Sequence, residues 1–204
     1  NADTEVGFGP AAQDQIRAMF PDDPDRAQLI IDTMSVTFPA GSAQDANGTP
    51  SPWGMVVPVP PDRLPAPLAP GLDPAFVVSI QAPGVEGFDT PVPVVLPNLD
   101  AATPGERSLI MSFDHDAGRW TVVGTATVSD DGRSMVSDPA SGIRAPGWHT
   151  VVLGVSASGG SCDGGTGTPV LRLPDSQTAK FFIEDYQTAG LTVENISQDR
   201  SGSR

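Results

Sequence analysis

The sequence predicts an all-β fold, an antiparallel β-sandwich with one short N-terminal helix. Three observations carry this expectation. Short runs rich in β-branched and aromatic residues recur along the chain. Clusters of Pro, Gly and Asp divide them: 22 prolines and 22 glycines would break a helical protein but serve as turns between strands. Aspartate far outnumbers glutamate and Lys180 is the only lysine. That balance suits turns, where a short carboxylate bonds nearby backbone N–H groups, better than helices.

The first element is the helix. In "GPAAQDQIRAMFPDDPDR", Ala12, Ile16, Met19 and Phe20 share one face, Pro10 suits a first helical turn and Pro21 ends it. Such a face packs on its own domain or binds a partner. In the acidic run that follows, Asp22, Asp23 and Asp25 cap the next segment or hold a cation. From there the chain reads as strands: "QLIIDTMSVTF", "WGMVVPV", "AFVVSI", "VPVVL", "RSLIMSF", "RWTVVGTATV", "SMVS" and "HTVVLGVSA", then "VLRL", "AKFFI" and "GLTVEN". Pro58, Pro60 and Pro61 close one strand. Pro91 and Pro93 lie in "TPVPVVLP", which places that strand at a sheet margin because proline donates no ladder hydrogen bond. "PPDRLPAPLAPGLDP" reads as a stiff crossover between sheets or as a polyproline ligand.

These elements suggest four segments: a helical and extended segment at 1–27, a β-sandwich at 28–158, a Gly-rich loop at 159–168, and strands at 169–204 that complete the sandwich or begin a following module. The length allows a core without metal or disulfide, since a chain of this size buries roughly 70% of its unfolded surface. Cys162, the only cysteine, sits beside Asp163 in a Gly-rich run without the electropositive setting that activates a thiol. It reads as an incidental loop thiol or one that pairs with another chain. A net charge of −14 repels nucleic-acid phosphates and anionic membrane surfaces. No apolar run reaches membrane-spanning length. There is no signal-peptide pattern, and the start at Asn1 suits a processed or excised piece of a longer protein.

Residues 36–99 resemble a known pattern. "VTFPAGS" is similar to the strand and Pro-Gly-Ala that open the ZU-type domain, named for zonula occludens and netrin-receptor proteins and found in ankyrins. "PGLDPAFVVSIQAPGVEGFDTPVPVVLPN" resembles that domain's second half through Leu72, Pro74, Gly84, Gly87, Phe88, Pro91, Val92, Leu96 and Pro97. The continuation through "PGWHTVV" resembles β-modules of very large bacterial surface proteins. The resemblance implies a β-sandwich that mediates contacts between proteins or domains. Some members cleave their own backbone at His-Phe-Ser; here His149 is followed directly by Thr150, so that activity is not carried over.

The densest cluster of capable side chains is "SFDHDAGRW". Asp114, Asp116 and Gly118 match a fragment of a calcium loop, but Arg119, Trp120, Thr121 and Val122 follow where a bidentate glutamate would be needed. The hairpin reading accounts for more: "LIMSF" and "WTVVGTATV" are strands, "DHDAG" is their turn, and Trp120 packs inward. Asp130, Asp131 and Gly132 form an Asp-Gly hairpin signal. His115 and His149 have neither a metal-ligand spacing nor a nucleophile elbow around them, and His149 reads as a packed or edge histidine. A phosphate loop and a dinucleotide fingerprint are both absent. Low aromatic content argues against a glycosidase, and Trp53, Trp120 and Trp148 read as core residues. Asn47 and Asn195 open glycosylation sequons, which mean little in a bacterial source.

The expected function is therefore a non-enzymatic structural or interaction module of a large secreted or cell-surface bacterial protein, serving spacing, domain contact or adhesion. Its partners would be other domains of the same protein or a separate protein. No catalytic residue or cofactor is assigned. The alternative is a calcium-dependent ligand- or glycan-binding domain using Asp114, Asp116, Asp130 and Asp131.

Overall fold

The structure is a computed structural model. It describes residues 3–42, 54–68 and 74–152, and the backbone of 43–45, 170–173 and 192–195. The expected Gly-rich loop with Cys162, the sequon at Asn47, Trp53 and the "AKFFI" segment lie outside the described residues.

The fold is all-β and antiparallel around one nearly closed sheet, with two short helices among the described residues. The elements are β1 (Thr4–Val6), α1 (Pro10–Met19), α2 (Pro24–Thr33), β2 (Ser35–Phe38), β3 (Ala43–Asp45), β4 (Met55–Val59), a 3-10 turn (Pro61–Arg63), β5 (Val77–Gln81), β6 (Val85–Phe88), β7 (Val94–Pro97), β8 (Arg107–Asp114), β9 (Arg119–Val128), β10 (Ser134–Ser137) and β11 (Gly147–Val152). Two further strands, β12 (Val170–Leu173) and β13 (Thr192–Asn195), pair in parallel with each other. The main sheet has nine strands in the order β1-β2-β7-β10-β9-β8-β11-β5-β4. An isolated bridge between Phe8 and Val56 brings its two ends together. β3 pairs with β6 as a separate ribbon.

The single expected helix becomes two, and the strand read into "QLIIDTMSVTF" shrinks to β2. Local chemistry explains the second helix. Asp23 caps it, its carboxylate accepting from the Arg26 N–H at 3.0 Å, and Pro24 holds the first turn. Ala27, Ile30 and Met34 then fall at helical spacing and are buried. The capping role expected for this acidic run is thus realised. α2 also crosses the expected boundary at residue 27, and β1 belongs to the main sheet, so the N-terminal segment is part of the same core. On α1, Ile16 is fully buried and Ala12, Met19 and Phe20 pack against the core, so this face is used internally.

"TPVPVVLP" is not a margin strand: β7 lies between β2 and β10. The prolines sit where no ladder N–H is needed. Pro91 and Pro93 precede the strand, and the Pro93 carbonyl still accepts from the Thr37 N–H at 3.0 Å. Pro58, by contrast, lies in β4, the terminal strand of the order, where a missing donor costs little. The proline-rich connection joins β4 and β5, which are neighbours, so it does not cross between sheets.

The sheet carries two apolar clusters, one on each face. The inner one gathers Ile16, Ile30, Val36, Val78, Ile80, Leu96, Ile110, Met135 and Ile143 with the helices. The outer one gathers Val59, Val77, Leu109, Met111, Trp120, Val122 and Val152, with Leu64 and Leu68 of the proline-rich connection packed on it. That connection is tied down by Trp120, whose indole N–H donates to the Ala66 carbonyl at 2.9 Å. A bulge opposite Ile110 and Met111 inserts an extra residue in β9, so that Val122 faces Met111 and Thr125 faces Leu109 on the same outer side.

Candidate binding site

The hairpin expected at "SFDHDAGRW" forms as β8–turn–β9, with Gly118 at a φ of 64° closing the turn. The Asp114 carboxylate oxygen Oδ1 accepts from the N–H groups of Asp116 and Ala117, both at 2.9 Å. It therefore shapes the turn. "SDDGRS" joins β9 to β10 as expected. There Asp131 accepts from the Ser129 hydroxyl at 2.6 Å and the Arg133 N–H at 3.0 Å, which together hold its pKa below the ordinary value. Among the described residues no three His, Cys, Asp or Glu side chains gather as a metal would require. Asp114, Asp116, Asp130 and Asp131 act as turn residues.

His149 lies on the inner face, beside Val78 across β5 and Ser112 across β8. It is 2% exposed. Its Nδ1 shares a 2.7 Å hydrogen bond with Ser112 Oγ, and Nε2 has no partner. Burial pushes its pKa down from 6.5 to about 3, so the imidazole is neutral. A Ser–His pair superficially suggests a nucleophile and base. Here no carboxylate orients the ring and no substrate reaches it, so the pair is part of the core.

The outer face presents a different arrangement. β8 and β11 pair side by side, and this brings Phe113 and His115 beside Trp148. The Phe113 ring meets Trp148 edge-on at 5.9 Å and Trp120 edge-on at 5.7 Å. His115, at the hairpin tip, lies over Trp148 with ring centroids 5.0 Å apart and planes tilted by 31°. Gly147, which precedes Trp148, has a φ of 147°, a conformation that favours glycine, and a Cβ there would make only ordinary contact with His115 Nε2 at 3.6 Å. Trp148, expected in the core, is half-buried, whereas Trp120 is enclosed. Trp148 and His115 line a cleft of about 340 Å³ with Ser79, Gln81, Pro83 and Pro146. Among the described residues, no Asp, Glu, Lys or Arg side chain lines it.

Further along the outer face, Asp138 accepts from the Thr125 hydroxyl, from Thr127 at 2.5 Å and from the Arg107 guanidinium at 2.5 Å. Burial alone would raise its pKa, but these donors outweigh burial and hold it below the ordinary value. This cluster ties the end of β10 to β8 and β9 and has a structural role.

The aspartate turns and the packed Trp120 are as the sequence led one to expect; what it did not show is that Trp148, expected in the core, lines a cleft together with His115. No family model, no curated protein and no solved structure matches the chain.

Proposed function

We propose that this chain is a non-enzymatic interaction module of a large secreted or cell-surface bacterial protein, and that it makes contact through the outer sheet face around Trp148. The observation that carries this reading is the preformed cluster of Phe113, His115 and Trp148 beside a cleft that no described Asp, Glu, Lys or Arg lines. Aromatic residues held on strands give contact area at low entropy cost. The Ser112–His149 pair, meanwhile, is sealed in the core. The acidic charge of −14 favours a protein or glycan surface over a phosphate backbone. No helix among the described residues is long and apolar enough to cross a membrane. The resemblance of residues 36–99 to the ZU-type domain points to the same class of work.

The test is retention of protein-coated beads on surfaces bearing purified matrix proteins, mucin or cell-surface polysaccharides. Multivalent display amplifies weak contacts. The reading expects retention on at least one surface, lost when Trp148→Ala protein of unchanged circular dichroism is used. Equal retention of both proteins on every surface would refute it, as would retention of neither.

A further inference from the structure

We propose that the cleft beside Trp148 binds an uncharged pyranose sugar. This rests on the interaction-module reading and names the ligand of its contact face.

Size is the first argument. The cleft is shallow and open to solvent, with a volume of about 340 Å³, sufficient for a hexose ring to lie in. Charge is the second. None of the described Asp, Glu, Lys or Arg side chains lines this cleft. A charged ligand would lose hydration there with no described carboxylate, ammonium or guanidinium to replace it, whereas a neutral polyol loses only hydroxyl hydration that hydrogen bonds can restore.

The third argument is the mixture of surfaces. The rings of Trp148 and His115 and the prolines Pro83 and Pro146 supply flat apolar faces. A pyranose has one face of C–H bonds, which carry partial positive charge and suit the negative face of an aromatic ring. Its equatorial hydroxyls project around that face and need partners. Ser79 and Gln81, alternate residues of β5, stand on the same side of the sheet as Trp148. The Gln81 amide reaches Ser79 Oγ only at 3.4 Å, so both keep hydrogen-bonding capacity for a ligand. The His115 imidazole lines the same cleft and carries ring nitrogens that can donate or accept. These groups sit on paired strands and a tight hairpin, so little ordering is needed on binding. A proline-rich peptide would use the aromatic faces too, but would leave this set of polar groups on β5 largely unanswered.

The experiment is an NMR titration of the 15N-labelled chain with methyl glycosides of glucose, galactose, mannose and N-acetylglucosamine, and with a proline-rich peptide as control. The expected result is saturable movement of the Trp148 indole and Gln81 side-chain amide signals with at least one glycoside, at millimolar Kd, while the Trp120 indole stays fixed. Trp148→Ala and Gln81→Ala should each weaken binding at least about tenfold. Gln81 is exposed, so its variant separates lost binding from lost folding. Glycosides that leave Trp148 and Gln81 unmoved overturn the proposal, as does saturation by the peptide alone. If Trp148-dependent bead retention persists on an enzymatically deglycosylated protein surface while no glycoside binds, the sugar assignment fails and the interaction-module reading stands.

Discussion

His149→Gln removes a buried imidazole and should flatten the acid limb of the stability curve. In the fold this ring is neutral, with its pKa held at about 3 against 6.5 in the unfolded chain. Below pH 6.5 the unfolded state binds a proton that the folded state refuses, so stability falls as pH falls. The loss approaches about 1.4 kcal/mol per pH unit and saturates near the folded value. Between about pH 7 and pH 4.5 it amounts to about 2–3 kcal/mol. Asp138 acts in another window: its lowered pKa contributes stability present above the ordinary value of 3.8 and lost below it. The assay is urea unfolding of both proteins across this range, read as the difference in stability between them. Gln can still meet Ser112 Oγ, so the offset near neutral pH should be small compared with its change on acidification. The difference should narrow in the variant's favour by about 2–3 kcal/mol. Parallel curves would mean that the imidazole is hydrated or charged in the fold, and the assignment of His149 to the sealed inner face would be wrong.

Other changes probe the elements that frame the cleft. Trp120→Phe removes the hydrogen bond to Ala66 and should cost about 1–2 kcal/mol. It should also speed tryptic cleavage after Arg63 as the proline-rich connection loosens. Asp138→Ala leaves the Arg107 guanidinium and two threonine hydroxyls without their acceptor and should lower stability by about 2–3 kcal/mol in chemical denaturation, with Asp138→Asn milder. Asp23→Ala removes the cap of α2 and should cost about 1 kcal/mol by the same assay. Because Asp114 and Asp131 each use one carboxylate oxygen in their own turns and no three candidate ligands gather among the described residues, Tm should be the same in calcium and in EDTA; a rise of several degrees in calcium would restore the ligand-loop reading.

The parts of the fold legible in the sequence were those decided by neighbours along the chain. "DHDAG" and "SDDGRS" carry their own turn chemistry, and both hairpins form where they predict. Pro10 and Pro21 bracket α1 in the same way. α2 was hidden because Ile30, Ile31 and Thr33 have strand-like side chains, although the cap at Asp23 and Pro24 stood in plain view. The central position of β7 could not be read, since strand order is set by pairings between distant segments. The cleft is non-local in the same sense. His115 and Trp148 meet only because β8 and β11 pair, and no spacing in the sequence signals that. A tryptophan at a strand start is most often packed away, and only the register of β11 against β5 puts Trp148 on the outer face beside Ser79.

The central claim is that the outer face around Trp148 is the surface through which this module makes contact. The most direct measurement is a comparison of NMR spectra of the 15N-labelled chain with and without the polymer that retains coated beads. The account predicts that the Trp148 indole and Gln81 amide signals shift or broaden while the enclosed Trp120 indole does not. Perturbation confined to another face, with Trp148 unmoved at saturation, would contradict it.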